Sequence, residues 1–161
     1  MATTWRNAAR RGLASGSLAS VASAAMLVLC AALEGRRPLS PLNGPSQWIW
    51  GERAARRSDV TLRHTALGYG IHHASALMWA TLHEKAFGPL GRQPPMAELS
   101  RAAATAAIAA FVDYALTPRR LQPGFEKHLS LPSIVATYAA FALGLAAARA
   151  RRQHGTHRKD R

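Results

Sequence analysis

From Leu13 to Leu33 the chain runs for 21 residues without one Asp, Glu, Lys or Arg, in a protein of 161 residues that carries a formal charge of +13. At about 1.5 Å per residue, a helix of that length crosses a hydrocarbon core of about 30 Å. The segregation recurs: Thr65 to His83 gives 19 residues with no formal charge, and Leu129 to Ala148 gives 20. A fourth stretch, Met96 to Thr117, is interrupted, with only 11 residues free of acidic and basic groups between Arg101 and Asp113. It crosses if Arg101 snorkels and Asp113 is tolerated near an end; the alternative is half of a soluble helical hairpin.

Helix-ending signals fall between these stretches: Pro38, Pro41 and Asn43-Gly44-Pro45, then Gly88-Pro89, Gly91 and Pro94-Pro95, then Pro118 and Pro123-Gly124. They cut the chain into four helical units, and Pro132 falls in the first turn of the last, where a missing N–H is harmless. The pattern predicts an all-α, four-helix transmembrane bundle forming one domain over residues 1–161, with spans at about 13–33, 65–83, 96–117 and 130–148 and a basic tail over 149–161. A cleaved signal peptide is the competing reading of the first stretch, because Arg6, Arg10 and Arg11 precede it and Cys30-Ala31-Ala32 ends it. The run is long for a signal core, and three more apolar segments follow. A single cysteine, Cys30, excludes an intrachain disulfide and a Cys-based zinc finger.

Four spans place both termini and the middle loop on one side, with 12 Lys and Arg there against 9 on the other. The positive-inside rule then puts both termini in the cytoplasm of a bacterial inner membrane. The basic tail has the charge of a nucleic-acid footprint but no aromatic residues interleaved for stacking, so anionic lipid headgroups are its expected partner and nucleic acid is not. In the first loop, residues 46–57 read as a short interfacial amphipathic helix with Asn43 as its N-cap. Trp48 and Trp50 would sit at headgroup level while Arg53, Arg56 and Arg57 face phosphate.

Two stripes of small residues suit close helix contact in lipid: Gly12, Gly16, Ser20 and Ala24 on the first span, and Ala136, Ala140, Gly144 and Ala148 on the last. They could pack on each other within one chain or make a homo-oligomer or a contact with another membrane protein.

The residues most in need of explanation are His72 and His73, in the middle of the second span. Counted from the same membrane face, Tyr69 and Asp113 lie at matching depth on antiparallel helices, so Tyr69, His72, His73 and Asp113 can meet, with Asp113 expected to bond Tyr69 or one of the histidines. The opposite face retains only His83 and Glu84 in this accounting. A metal site built from His72, His73 and Asp113 is disfavoured, because adjacent histidines on a helix diverge by about 100°. Haem would need a second helix with an interior histidine, and none exists. A proton relay, with Asp113 as counter-charge to histidine, would serve transport; hydrogen bonding between helices is the simpler role. No phosphate loop, nucleophile elbow or zinc-protease motif occurs, so no catalytic residue and no cofactor is expected.

The strings PLNGPSQWIWG at Pro41 to Gly51, HTALGYGIHHASALMWA at His64 to Ala80 and VDYALTPRRLQPGFE at Val112 to Glu126 resemble a group of small proteobacterial inner-membrane proteins without an assigned activity. That group commonly has histidine at the place of Gln47. The resemblance implies an inner-membrane location and transfers no catalytic role. Together these readings point to a structural or accessory membrane protein rather than an enzyme. A proton-coupled transporter or a metal-dependent membrane enzyme using the His/Asp cluster is the alternative.

Overall fold

The computed structural model describes residues 3–88 and 93–157. Among these the chain is all helical, with no strand. Six α-helices follow one another: α1 (Trp5–Leu33), α2 (Gln47–Trp50), α3 (Glu52–Ala55), α4 (Leu67–Phe87), α5 (Pro95–Phe111) and α6 (Leu131–His157). One turn of π-helix precedes α4 over Leu62–Ala66 and another continues α5 over Val112–Leu116.

The local reasons are conventional ones. Thr4 caps α1 by accepting the Asn7 N–H, and the helix closes where Gly35, with φ of +67°, lets the Arg36 N–H reach back to Ala31 O at 2.8 Å. Pro94 and Pro95 open α5, since proline at a first turn forfeits no bond, and Thr117-Pro118 stops its continuation.

Three segments are long and apolar enough to cross a membrane: Trp5–Leu33, Pro95–Leu116 and Leu131–Arg152. The interrupted stretch around α5 is therefore among them. Helix α4 is not, although it has 21 residues, and its sequence explains why: His72, His73, His83, Glu84 and Lys85 all fall within it. It nonetheless runs antiparallel along α1, pairing Ser23 with His72 at one end and Gly12 with Thr81 at the other.

The long helices form a ring in which α1 touches α4 and α6, and α6 touches α5, while α4 and α5 meet only sparsely. Alanine builds much of the interior: Ala19, Ala76, Ala80, Ala102, Ala106 and Ala142 surround Phe141 and Leu145. The outward faces carry Val21, Leu29, Met78, Ile108, Phe111, Val135 and Leu143, all exposed.

The two small-residue stripes do not face one another. A Cβ on Gly12 would lie 2.5 Å from Thr81 Oγ1 and one on Gly16 2.9 Å from Leu77 Cα, so this stripe receives α4. A Cβ on Gly144 would lie 2.5 Å from Ala19 Cα of α1, Ala140 is buried on the same helix, and Ala136 packs against the cluster around Leu27 and Ile134. Both α4 and α6 run antiparallel to α1; α4 takes the face of Gly12, Gly16 and Ser20, and α6 takes the adjacent face at Ala19.

The segment 46–57 is not one amphipathic helix. Gly51 adopts φ of +79° and splits it into the single turns α2 and α3. Asn43 does not cap it either: it lies within a buried 3₁₀ segment, Ser40–Ser46, where Nδ2 donates to Arg57 O at 2.7 Å and Asp59 O at 3.1 Å while Oδ1 accepts from Thr65 Oγ1 at 2.7 Å. The loop is thereby folded onto the end of the bundle. Of the expected basic tail over 149–161, residues up to His157 continue helix α6 and Arg149 is buried, while 158–161 lie outside the described residues.

Candidate functional site

The sparse seam between α4 and α5 leaves a cavity of about 60 Å³ that reaches α6. A single water requires only about 10–15 Å³. Helix α4 contributes Ile71, His72, Ser75 and Trp79, α5 and its π-turn contribute Ala109 and Asp113, and α6 contributes Thr137, Tyr138 and Phe141. Pro45, Trp48, Pro123 and Phe125 come from the two loops at the same end of the bundle.

The loops are held in place by Gln122. Its backbone carbonyl accepts from Gln47 Nε2 at 2.7 Å and from Trp48 Nε1 at 3.2 Å, while its amide donates to Tyr114 O and Thr117 O at 3.3 Å each. One residue thus ties the first loop to the end of α5. Gln47, where the resemblance has histidine, is fully buried and uses its amide nitrogen for that bond.

His72 and Asp113 both line the cavity but do not bond each other. The Tyr138 hydroxyl donates to Asp113 Oδ2 at 2.6 Å, which corrects the expectation that Tyr69, His72 or His73 would do so. Helix α6 lies beside α5 where α4 stands off, so the nearest donor comes from the last span. His72 turns instead to α1, with Nε2 3.0 Å from Ser23 Oγ and 3.4 Å from Ser20 O. A carbonyl only accepts, and the Ser23 hydroxyl already donates to Ala19 O at 2.8 Å, so Nε2 carries the proton. His73 Nδ1 lies 3.0 Å from Ser20 Oγ, which gives Ser20 a polar contact beyond its place in the packing stripe. Tyr69 stacks near both histidine rings, at 6.3 and 5.9 Å, without reaching Asp113.

No group of three or more His, Cys, Asp or Glu side chains among the described residues is arranged to hold a metal ion. The divergence of His72 and His73, each to its own serine, is the geometric reason at this site.

The residues expected at the interface are divided. Trp48 and Trp50 are both exposed; Trp48 bonds the loop and lines the cavity, whereas Trp50 donates to Arg63 O at 3.2 Å and lies 4.2 Å beneath the Arg63 guanidinium. Arg53 and Arg56 are exposed, and Arg57 forms a two-pronged bond to Asp59 at 2.9 Å on each arm. Behind them, His128 Nε2 donates to Ala55 O at 2.5 Å, and burial holds its pKa below the ordinary value.

Sequence reasoning misses a second polar cluster at the other end. Glu98 Oε2 lies 2.7 Å from Arg149 Nε, both side chains being almost wholly buried, and its Oε1 lies 3.7 Å from Arg101 Nη1. Glu84, also buried, pairs with Arg152, and His83 Nδ1 lies 2.8 Å from Thr105 Oγ1. The signal is in the sequence: Arg149 and Arg152 are three apart and share one helical face, as Glu98 and Arg101 do. Reading the segment after Ala148 as a solvated tail hides it, because a tail has no face to present. No protein-family model, curated protein or solved structure matches the chain.

Proposed function

We propose that the protein is an integral protein of the bacterial inner membrane, crossing four times with both termini cytoplasmic, and that it holds a small amphipathic molecule in the cavity between α4, α5 and α6. The observation that carries this reading is that one cavity brings His72 and Asp113, two of the ionisable side chains at membrane depth, together with apolar walls. Four crossings are supported by α4 running antiparallel to α1 over most of its length, and by the apolar outward faces, Met78 and Leu82 on α4 included. Exposed Trp50, Arg53 and Arg56 suit an anionic headgroup layer.

The test is native mass spectrometry of protein purified in mild detergent. A small-molecule or lipid adduct should remain on the wild type and be lost from Ser75→Phe, which fills the cavity from α4 while leaving Asp113 in place. Equal adducts on both proteins would refute the cavity as the binding site. The second reading, a structural subunit, is favoured by the internal hydrogen bonds of His72, His73 and Asp113. It predicts no adduct on either protein and unimpaired stability in Ser75→Phe.

A further inference from the structure

Several carboxylates of this chain are paired with a base, Asp59 with Arg57 and Glu126 with Lys127 among them. Glu84 and Glu98, at the basic end, are each paired with arginine. Asp113 has no Lys, Arg or His partner among the described residues, only the Tyr138 hydroxyl on Oδ2. None of the Lys and Arg among the described residues pairs with this carboxylate. The 2.6 Å bond is in the range of hydroxyl-to-carboxylate bonds, which are shorter than neutral ones. A carboxylate in this half-buried site needs a counter-charge to stay ionised, and the described residues do not supply one.

The walls around Asp113 narrow what could. Trp48, Trp79, Tyr138 and Phe141 line the same cavity, and aromatic faces attract cations, especially weakly hydrated ones such as substituted ammonium groups. Anions are repelled by the carboxylate. A divalent metal ion lacks ligands, since His72 directs its Nε2–H to Ser23 and Ser20 on α1. The seam between α4 and α5 gives apolar substituents a place to lie, with Ile71, Ala109 and Phe141 along it.

Building on the reading of this cavity as a binding site, we propose that its ligand is an amphipathic organic cation, a substituted ammonium group with an apolar body, seated with its charge on Asp113 and its body against Trp79 and Phe141. Such a group could be a soluble amine or the ammonium headgroup of a phospholipid.

The experiment compares benzyltrimethylammonium with neopentylbenzene, which has the same shape and no charge, by equilibrium dialysis against the full-length protein in detergent. The wild type should bind the cation at least about tenfold more tightly than the isostere, as expected for a desolvated charge pair. Asp113→Asn should lose that preference and keep its affinity for neopentylbenzene, while Asp113→Glu should retain it. Equal affinity of the wild type for both probes overturns the cation inference, whether or not Asp113→Asn folds, and leaves the cavity reading intact. Binding of neither probe removes both. In nanodiscs, competition by phosphatidylethanolamine but not phosphatidylglycerol identifies a lipid headgroup as the source; binding unaffected by either lipid identifies a soluble amine.

Discussion

His128 stands where the loop after α5 meets the first loop, and its ring donates to Ala55 O from a buried position that disfavours the charged form. Burial lowers its pKa from the ordinary 6.5, the backbone bond opposing this only in part. The unfolded chain therefore binds more protons than the folded one as pH falls past about 6.5, and folding stability drops with it. Thermal melts in detergent should show a lower midpoint at about pH 5.5 than at about pH 7.5, with a smaller difference in His128→Gln. An unchanged pH response in the variant would exclude His128 as its source. Glu34 acts in another window: the hydroxyls of Ser130 and Ser133 hold its pKa below 4.5, so its contribution is present above that value and is lost as pH falls through the lower folded one. Tyr138 and Asp113 call for a double-mutant cycle of Tyr138→Phe with Asp113→Asn. The expected coupling is about 0.6 kcal/mol, the usual size for hydrogen bonds between membrane helices. Additive effects would mean that the bond contributes nothing to the fold. At this scale the sequence singled out Asp113 and His72 by their depth, but it could not choose their partners. Several hydroxyls lie at the same height, and rotation of each helix about its axis decides which one is met.

Helix contacts depend on a few positions where backbones approach. Gly16 against Leu77 and Gly144 against Ala19 leave no room for a side chain, so Gly16→Leu or Gly144→Leu should destabilise by roughly 1–3 kcal/mol through forced separation of α1 from its neighbour. Denaturant titration or thermal melting in a fixed detergent measures this. Val135→Leu, at an exposed position of α6, is the control and should change little. The Glu98–Arg149 pair joins α5 to α6 at the basic end. Glu98→Gln would leave Arg149 less well compensated in a buried place, at a cost of about 3–5 kcal/mol, whereas Glu98→Leu with Arg149→Met together should restore much of the loss. If Glu98→Gln melts like the wild type, the pair is not a clamp. The pattern of charge-free runs with breaker residues between them made the long helices readable. Periodicity misjudged the segment 46–57, where composition fits one amphipathic helix but Gly51 takes a left-handed backbone that breaks it.

For the molecule as a whole, four crossings and three crossings make opposite predictions for the segment before α5. Reporter fusions at Gln93 and beyond His157 should report cytoplasm, and fusions at Asn43 and Pro123 should report periplasm, if α4 crosses with its neighbours. A fusion at Gln93 sharing the side of Asn43 would show that α4 lies outside the bilayer, and the proposed cavity would then lose its place at membrane depth. The polar clusters sit at opposite ends of the ring: the Glu and Arg pairs near the ends of α4 and α6, and the cavity beneath the loops around Asn43 and Gln122.

Charge segregation and breaker residues determined the helical class and the approximate extent of each long helix, because desolvating a charge is so unfavourable that its absence over 20 residues leaves few alternatives. Only the tertiary structure decided that α1 rather than α6 receives the histidines, that Tyr138 meets Asp113, that Arg149 is buried against Glu98, and that α4 and α5 stand apart around a cavity. The physical reason is that an apolar run fixes how long a helix is but not how it is rotated or which neighbour it prefers. In this chain those choices fall to backbone approach at Gly12, Gly16 and Gly144 and to the loops tied down by Asn43 and Gln122.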